Sequence, residues 1–139
     1  VLDMSVAYAK DRVQFGRPIG SFQAIKHKCA EMLLETESAR SISLFGAWLA
    51  SQGSYFFIYE IEDDHDHIAS MATYYASKAL NHAAGENIQI HGGIGFTMEH
   101  DAQLYFKRAA FMNAHLGLPH EHASRIGKEL MKRSELVGN

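Results

Sequence analysis

Nine histidines stand among 16 acidic residues in a chain of 139. A helical protein that binds two metal ions draws a Glu-x-x-His pair from each of two helices and one Glu from each of two others. Glu62-Asp63-Asp64-His65 matches that spacing once, and no second copy exists. His65 and His67 are two apart, as are His120 and His122. On a helix the members of each pair point to different faces and cannot converge on one ion. No metal site is expected. Two other segments carry chemistry. Arg12-Val13-Gln14-Phe15-Gly16-Arg17-Pro18-Ile19, followed by Ser21-Phe22-Gln23, places two cations in a turn beside a helix start. Guanidinium groups and free N-terminal amides together suit an anion such as phosphate, although a solvated helix connection fits the same residues. Gln89-Ile90-His91-Gly92-Gly93-Ile94-Gly95-Phe96 carries adjacent glycines, which allow a ligand or another chain to approach the backbone closely. Without a preceding strand it is no dinucleotide fingerprint, and a helix C-cap with a following turn also accounts for it.

The elements that must position these segments are helical. Val1 to Arg12 reads as the tail of a helix, and Asp11 to Gly20 as a turn. Ser21 suits the N-cap of a long helix that runs to about Gln52 and stops at Gly53. Its apolar or small residues fall at 22, 25, 29, 32, 36, 39, 43, 46 and 50, the alternating spacing of a seam against other helices. Some 32 residues would reach about 48 Å. Ser54 to Tyr59 reads as a loop, and the acidic Glu60 to His67 as the start of a second long helix ending near His91. Ile68, Met71 and Tyr75 share one face of it; Ala72, Ala76, Ala79 and Ala83 form an adjacent small stripe. Gly92-Gly93 ends it. Shorter helices follow from about Glu99 to Ala114 and from Pro119, a first-turn proline, to about Arg133. The fold class is all-α, an antiparallel four-helix bundle with two long helices.

Length suits one domain with its own core. The net charge of -3 with interspersed signs gives no basic stripe for nucleic acid. No apolar run is long enough for a membrane span. The single cysteine, Cys29, excludes an intrachain disulfide, fits a reducing compartment and reads as a small buried residue. A start at Val1, without Met and inside a helix, leads us to expect a fragment of a longer protein.

Taken together, the two segments resemble the acyl-CoA dehydrogenase family. The likeness lies in Tyr8-Ala9, Arg12, Gln14-Phe15-Gly16, Pro18-Ile19 and Phe22-Gln23, and in Gln89, Gly92-Gly93 and Gly95-Phe96 with Glu99 following; Lys78 also sits where the family has a lysine. It covers nearly all of residues 1–139, as the C-terminal helical domain, with the N-terminal helical and middle β domains absent. It implies α,β-dehydrogenation of an acyl-CoA thioester with FAD as cofactor and an electron-transfer flavoprotein as acceptor. It also implies a homo- or hetero-oligomer, dimer or tetramer, in the cytoplasm or, in a eukaryote, the mitochondrial matrix. By motif position Arg12 and Gln14 resemble the pyrophosphate contacts. Phe15 and Ile19 resemble residues near the adenine, with Gln23 behind them. Gln89 and Gly93 resemble the contacts from the second long helix and its glycine turn.

The resemblance fails at one place. The family's catalytic glutamate commonly lies in a Tyr-Glu-Gly-Thr segment downstream of the glycine turn, where this chain reads His115-Leu116-Gly117-Leu118. The Arg-Asp pair usual before it is here Lys107-Arg108. Leucine cannot abstract a proton, so no catalytic residue is assigned. Three explanations follow: a base upstream of Val1, as some members have; a non-catalytic partner subunit of a hetero-oligomer; or a substitute in His115 or Glu121, which are better read as a packing or solvated residue and as a first-turn carboxylate. A flavin oxidase or monooxygenase of the same fold is a further alternative. The domain alone is expected to hold FAD poorly and to self-associate.

Overall fold

The computed structural model describes residues 1–51 and 64–137. The expected stop at Gln52-Gly53, the loop Ser54 to Tyr59 and most of the acidic stretch Glu60 to Asp63 lie outside the described residues. The elements are α1 (Leu2–Asp11), β1 (Val13–Gln14), β2 (Arg17–Pro18), a 3-10 turn (Ile19–Ser21), α2 (Gln23–Ser51), α3 (Asp64–His91), a second 3-10 turn (Gly92–Phe96), α4 (Ala102–Leu116) and α5 (Pro119–Val137). The all-α expectation with two long helices is met. At 29 residues α2 extends about 44 Å.

α3 is the central helix, packed against α1, α2, α4 and α5. Its sequence explains why. Ser70, Ser77, Ala79, Ala83, Ala84 and Asn87 are all buried, so small side chains on more than one face let several helices approach. The core cluster is correspondingly modest, with Met32 from α2, Ala83 and Ile90 from α3, Ala9 from α1 and Ile19. Val1, Leu2, Tyr8, Phe22, Ile25 and Cys29 pack around it. The expected face of α3 is only partly inward, since Tyr75 is exposed.

Three sequence expectations shift. The seam of α2 is buried at Met32 and Ala39 as expected, but further along it runs through Leu49 and not Ala50. A strict seven-residue repeat would have kept Ala50 on the seam; Leu49 instead shares its register with the half-buried Glu35 and Ile42, one residue to the side. Ser21 is not the N-cap of α2. The Phe22 carbonyl receives the first helical amides, from Ile25 and Lys26 at 3.1 Å each, and Ser21 Oγ is buried without a hydrogen-bond partner. Burying Ile19 needs the 3-10 turn, and that turn carries Ser21 inward. α4 starts at Ala102 and not Glu99, because the Ala102 amide donates to His100 Nδ1 at 3.1 Å and sets the first turn there.

Polar links fix helix register. Lys28 of α2 pairs with Glu86 of α3, and Glu35 with His82 at 2.7 Å. Asn81 and Asn113 exchange amide hydrogen bonds at 3.0 and 3.2 Å between α3 and α4. The deepest link joins α1 to α3. Ser5 Oγ donates to Asn87 Oδ1 at 2.7 Å, with both residues fully buried. Three residues further along α1, the Tyr8 hydroxyl donates to the His91 carbonyl at 3.4 Å. α1 and α3 therefore run side by side in the same direction and end at one level. Removing the Asn87 amide would leave the Ser5 hydroxyl buried without a partner. Asn87→Ala should lower unfolding stability by about 2–3 kcal/mol, and Ser5→Ala by less, since that change also removes the hydroxyl. Chemical denaturation of the two variants measures this.

The cleft between the hairpin and the glycine turn

Because α1 and α3 end together, the segments that follow them face each other. After α1 the chain forms a two-stranded hairpin with Val13 opposite Pro18 and Gln14 opposite Arg17. Its two loop residues, Phe15 and Gly16, have φ of 52° and 78°. That combination defines a type I′ turn, whose twist matches the strands. For Phe15 the left-handed conformation costs about 1–2 kcal/mol. The turn was expected from the sequence, whereas the strand pair and the strained Phe15 were not.

A cleft of about 680 Å³ lies between this hairpin and the end of α3. It brings together six of the seven residues singled out in the sequence: Arg12, Gln14, Phe15, Ile19, Gln89 and Gly93. Gln23, exposed at the first position of α2, is not among its lining residues. Ile19 is 8% exposed and belongs mainly to the core, with its amide donating to the Arg12 carbonyl at 2.8 Å. Phe15 is 90% exposed and meets the Phe22 ring edge-on at 6.1 Å. The two arginines part company: Arg12 lines the cleft, while the Arg17 guanidinium lies 4.2 Å over the Phe22 ring.

Gly93 bears on what the cleft is for. A side chain built there would meet nothing within 4 Å, and its φ is not positive. The domain's own packing therefore does not require glycine at that position. Gly95 contrasts with it: a Cβ there would lie 2.9 Å from the Ile88 carbonyl oxygen, so this glycine serves the fold.

Tyr8 and His91 also line the cleft, and sequence reading did not assign them to it. The helical spacing of Tyr8 and Arg12, one turn apart, was the available signal. The His91 ring is buried, stacked on Tyr8 at 4.2 Å and tilted against His100 at 4.5 Å. Its Nδ1 lies 2.7 Å from the Asn87 carbonyl oxygen, which only accepts, so Nδ1 carries the hydrogen. Burial pushes the imidazole below its ordinary pKa, and His100 adds to this against the opposing hydrogen bond to Asn87. An unfolded histidine titrates near about 6.5. Stability from a neutral His91 is thus full above that pH and is lost as pH falls from there through the lower folded value. The thermal midpoint should decline below about pH 6.5 more steeply in the unaltered protein than in His91→Phe. Equal slopes in parallel melts would refute this.

Away from the cleft lining, Leu116 is the last residue of α4, half exposed, and Gly117 follows with φ of 97°. His122 Nε2 donates to the Leu116 carbonyl at 2.9 Å. His115 stacks on Phe111 at 5.7 Å, and the Glu121 carboxylate accepts the Leu118 amide at 2.8 Å, capping α5. Among the described residues no helix is long and apolar enough to cross a membrane.

Comparison with known proteins agrees with this architecture. Residues 1–131 match the family model of the acyl-CoA dehydrogenase C-terminal domain. The acyl-CoA dehydrogenase IpdE2 of Mycolicibacterium smegmatis is 46% identical over 129 residues, which is 93% of this chain and 37% of that protein. The ChsE4-ChsE5 complex of Mycobacterium tuberculosis superposes with a TM-score of 0.81 at 32% identity, over 94% of this chain and 33% of the matched one. Butyryl-CoA dehydrogenase of Megasphaera elsdenii gives 0.80 at 28%, over 94% and 32%. The chain spans about a third of the length of these relatives, and it belongs to the acyl-CoA dehydrogenase family as a C-terminal domain.

Proposed function

We propose that residues 1–139 form the C-terminal helical domain of an FAD-dependent acyl-CoA dehydrogenase whose N-terminal helical and middle β domains lie outside this chain. In this reading the cleft takes the pyrophosphate and adenosine of FAD. Gly93 carries the proposal: it is a glycine on a cleft wall with open space where a side chain would stand, a clearance that a bound group would need and the fold does not. The Arg12 guanidinium, which lines the same cleft from the hairpin side, suits a phosphate. The strained Phe15 at the cleft mouth supports the reading, since such strain collects at ligand clamps.

FAD, when bound, supplies the hydride acceptor for oxidation of an acyl-CoA thioester. The residues of this chain bind and orient. Arg12 offers charge and two hydrogen-bond donors to the pyrophosphate, and the Gln14 and Gln89 amides add neutral donors. Phe15 and the small exposed edge of Ile19 offer apolar surface to the adenine side, whereas Gln23, outside the cleft, is given no part. Leu116 offers no proton acceptor, His115 stacks on Phe111 and Glu121 caps α5, so in this reading the base comes from outside residues 1–139, either upstream on the same chain or from a partner subunit. An electron-transfer flavoprotein is the acceptor. Assembly is supported by large apolar side chains left exposed on α2 (Leu34, Leu44, Trp48) and α4 (Leu104, Phe106, Phe111). The solved ChsE4-ChsE5 complex shows that a relative pairs two subunits.

In the assembled full-length protein, Gly93→Leu should leave the melting temperature of the cofactor-free form unchanged and lower FAD content. Arg12→Ala should weaken FAD binding by roughly 10- to 100-fold, the loss of a charge-assisted hydrogen bond of about 1.5–3 kcal/mol. Unchanged FAD affinity in both variants, measured by flavin fluorescence titration, would overturn the assignment of the cleft.

A further inference from the structure

Among the described residues His91 is the only histidine that lines the cleft, and it is 4% exposed. We propose that His91 is a proton-coupled contact of this cleft, taking a proton from solvent on Nε2 when a doubly esterified pyrophosphate binds beside Arg12. The inference rests on the FAD reading and extends it to a group that neither motif assigned.

Charge complementarity is the first argument. Such a pyrophosphate carries two negative charges, and Arg12 is the one fixed cation among the lining residues, because Arg17 lies over Phe22. Among the described residues no carboxylate lines the cleft. The groups facing His91 are Tyr8 from α1, Arg12 from the start of the hairpin and His100 from the segment before α4. Phe22 just before α2 and Ala24 and Ile25 within it are apolar, and α3 itself brings the uncharged Asn87 and Gln89. Every charged or titratable neighbour is therefore neutral or cationic. Without a ligand these surroundings disfavour a second positive charge, and a dianion reverses that balance.

Geometry is the second argument. Nδ1 already holds its hydrogen toward the Asn87 carbonyl, so an added proton has only Nε2 to go to. The ring cannot swing away, because Tyr8 stacks on it and His100 closes against it. Binding would then be linked to uptake of one proton: a rise of about one unit in the His91 pKa makes the ligand bind about tenfold tighter at low pH than at high pH.

The test is an NMR titration of the isotope-labelled, assembled full-length protein, stripped of FAD and then reloaded with it; the FAD pyrophosphate keeps both charges over the whole range. Imidazole nitrogen shifts are followed from about pH 5 to about pH 8, with and without ligand. The expected result is perturbed amides at Gln89, Gly92 and Gly93, a raised His91 pKa, and FAD affinity that strengthens as pH falls. His91→Phe, which keeps a stacking ring, should bind FAD with no such pH dependence. Perturbed cleft amides with an unmoved His91 titration would overturn the inference and leave the cleft assignment standing. Unperturbed cleft amides at saturating FAD would overturn both.

Discussion

The buried hydrogen bond between Ser5 and Asn87 sets the geometry on which the cleft depends. It joins residues 82 apart in sequence and fixes the axial position of α1 against α3. A buried hydroxyl and amide tolerate no slip of a helical turn, because each would then face apolar side chains without a partner. One turn on, Tyr8 stacks on His91, and both helices end within the next few residues. The hairpin and the glycine turn are thereby presented to each other across a gap of fixed width. Neither segment could form the cleft by itself.

The central place of α3 has a related cause. Alanine, serine and asparagine at its buried positions leave room for α1, α2, α4 and α5 on different sides. Close backbone approach replaces bulk, and the large apolar side chains of α2 and α4 are left facing outward. Met32 and Leu49 are the large apolar side chains of α2 that remain buried.

Two of the three glycines of the turn after α3 differ in what surrounds them. Gly95 is required by the carbonyl of Ile88 pressed against it, whereas Gly93 faces open space on the cleft wall. Both look alike in sequence. Leu116 is of the opposite kind, since its side chain offers no proton acceptor whatever its packing.

The sequence by itself determined the helical class, the two long helices, the turn near Gly16 and the motif residues Arg12, Gln14, Phe15, Gln89 and Gly93. These follow from local periodicity, from residues that break helices and from the resemblance to one family. Tertiary structure alone decided the rest. It turned Arg17 away onto Phe22, drew Ile19 into the core, left Gln23 outside the cleft and put Tyr8 and His91 inside it. It also moved the start of α2 past Ser21 and shifted the distal seam to Leu49. The physical reason is the same each time. Local sequence sets which face of an element is apolar, but only the contact between α1 and α3 sets which side chains meet across a gap.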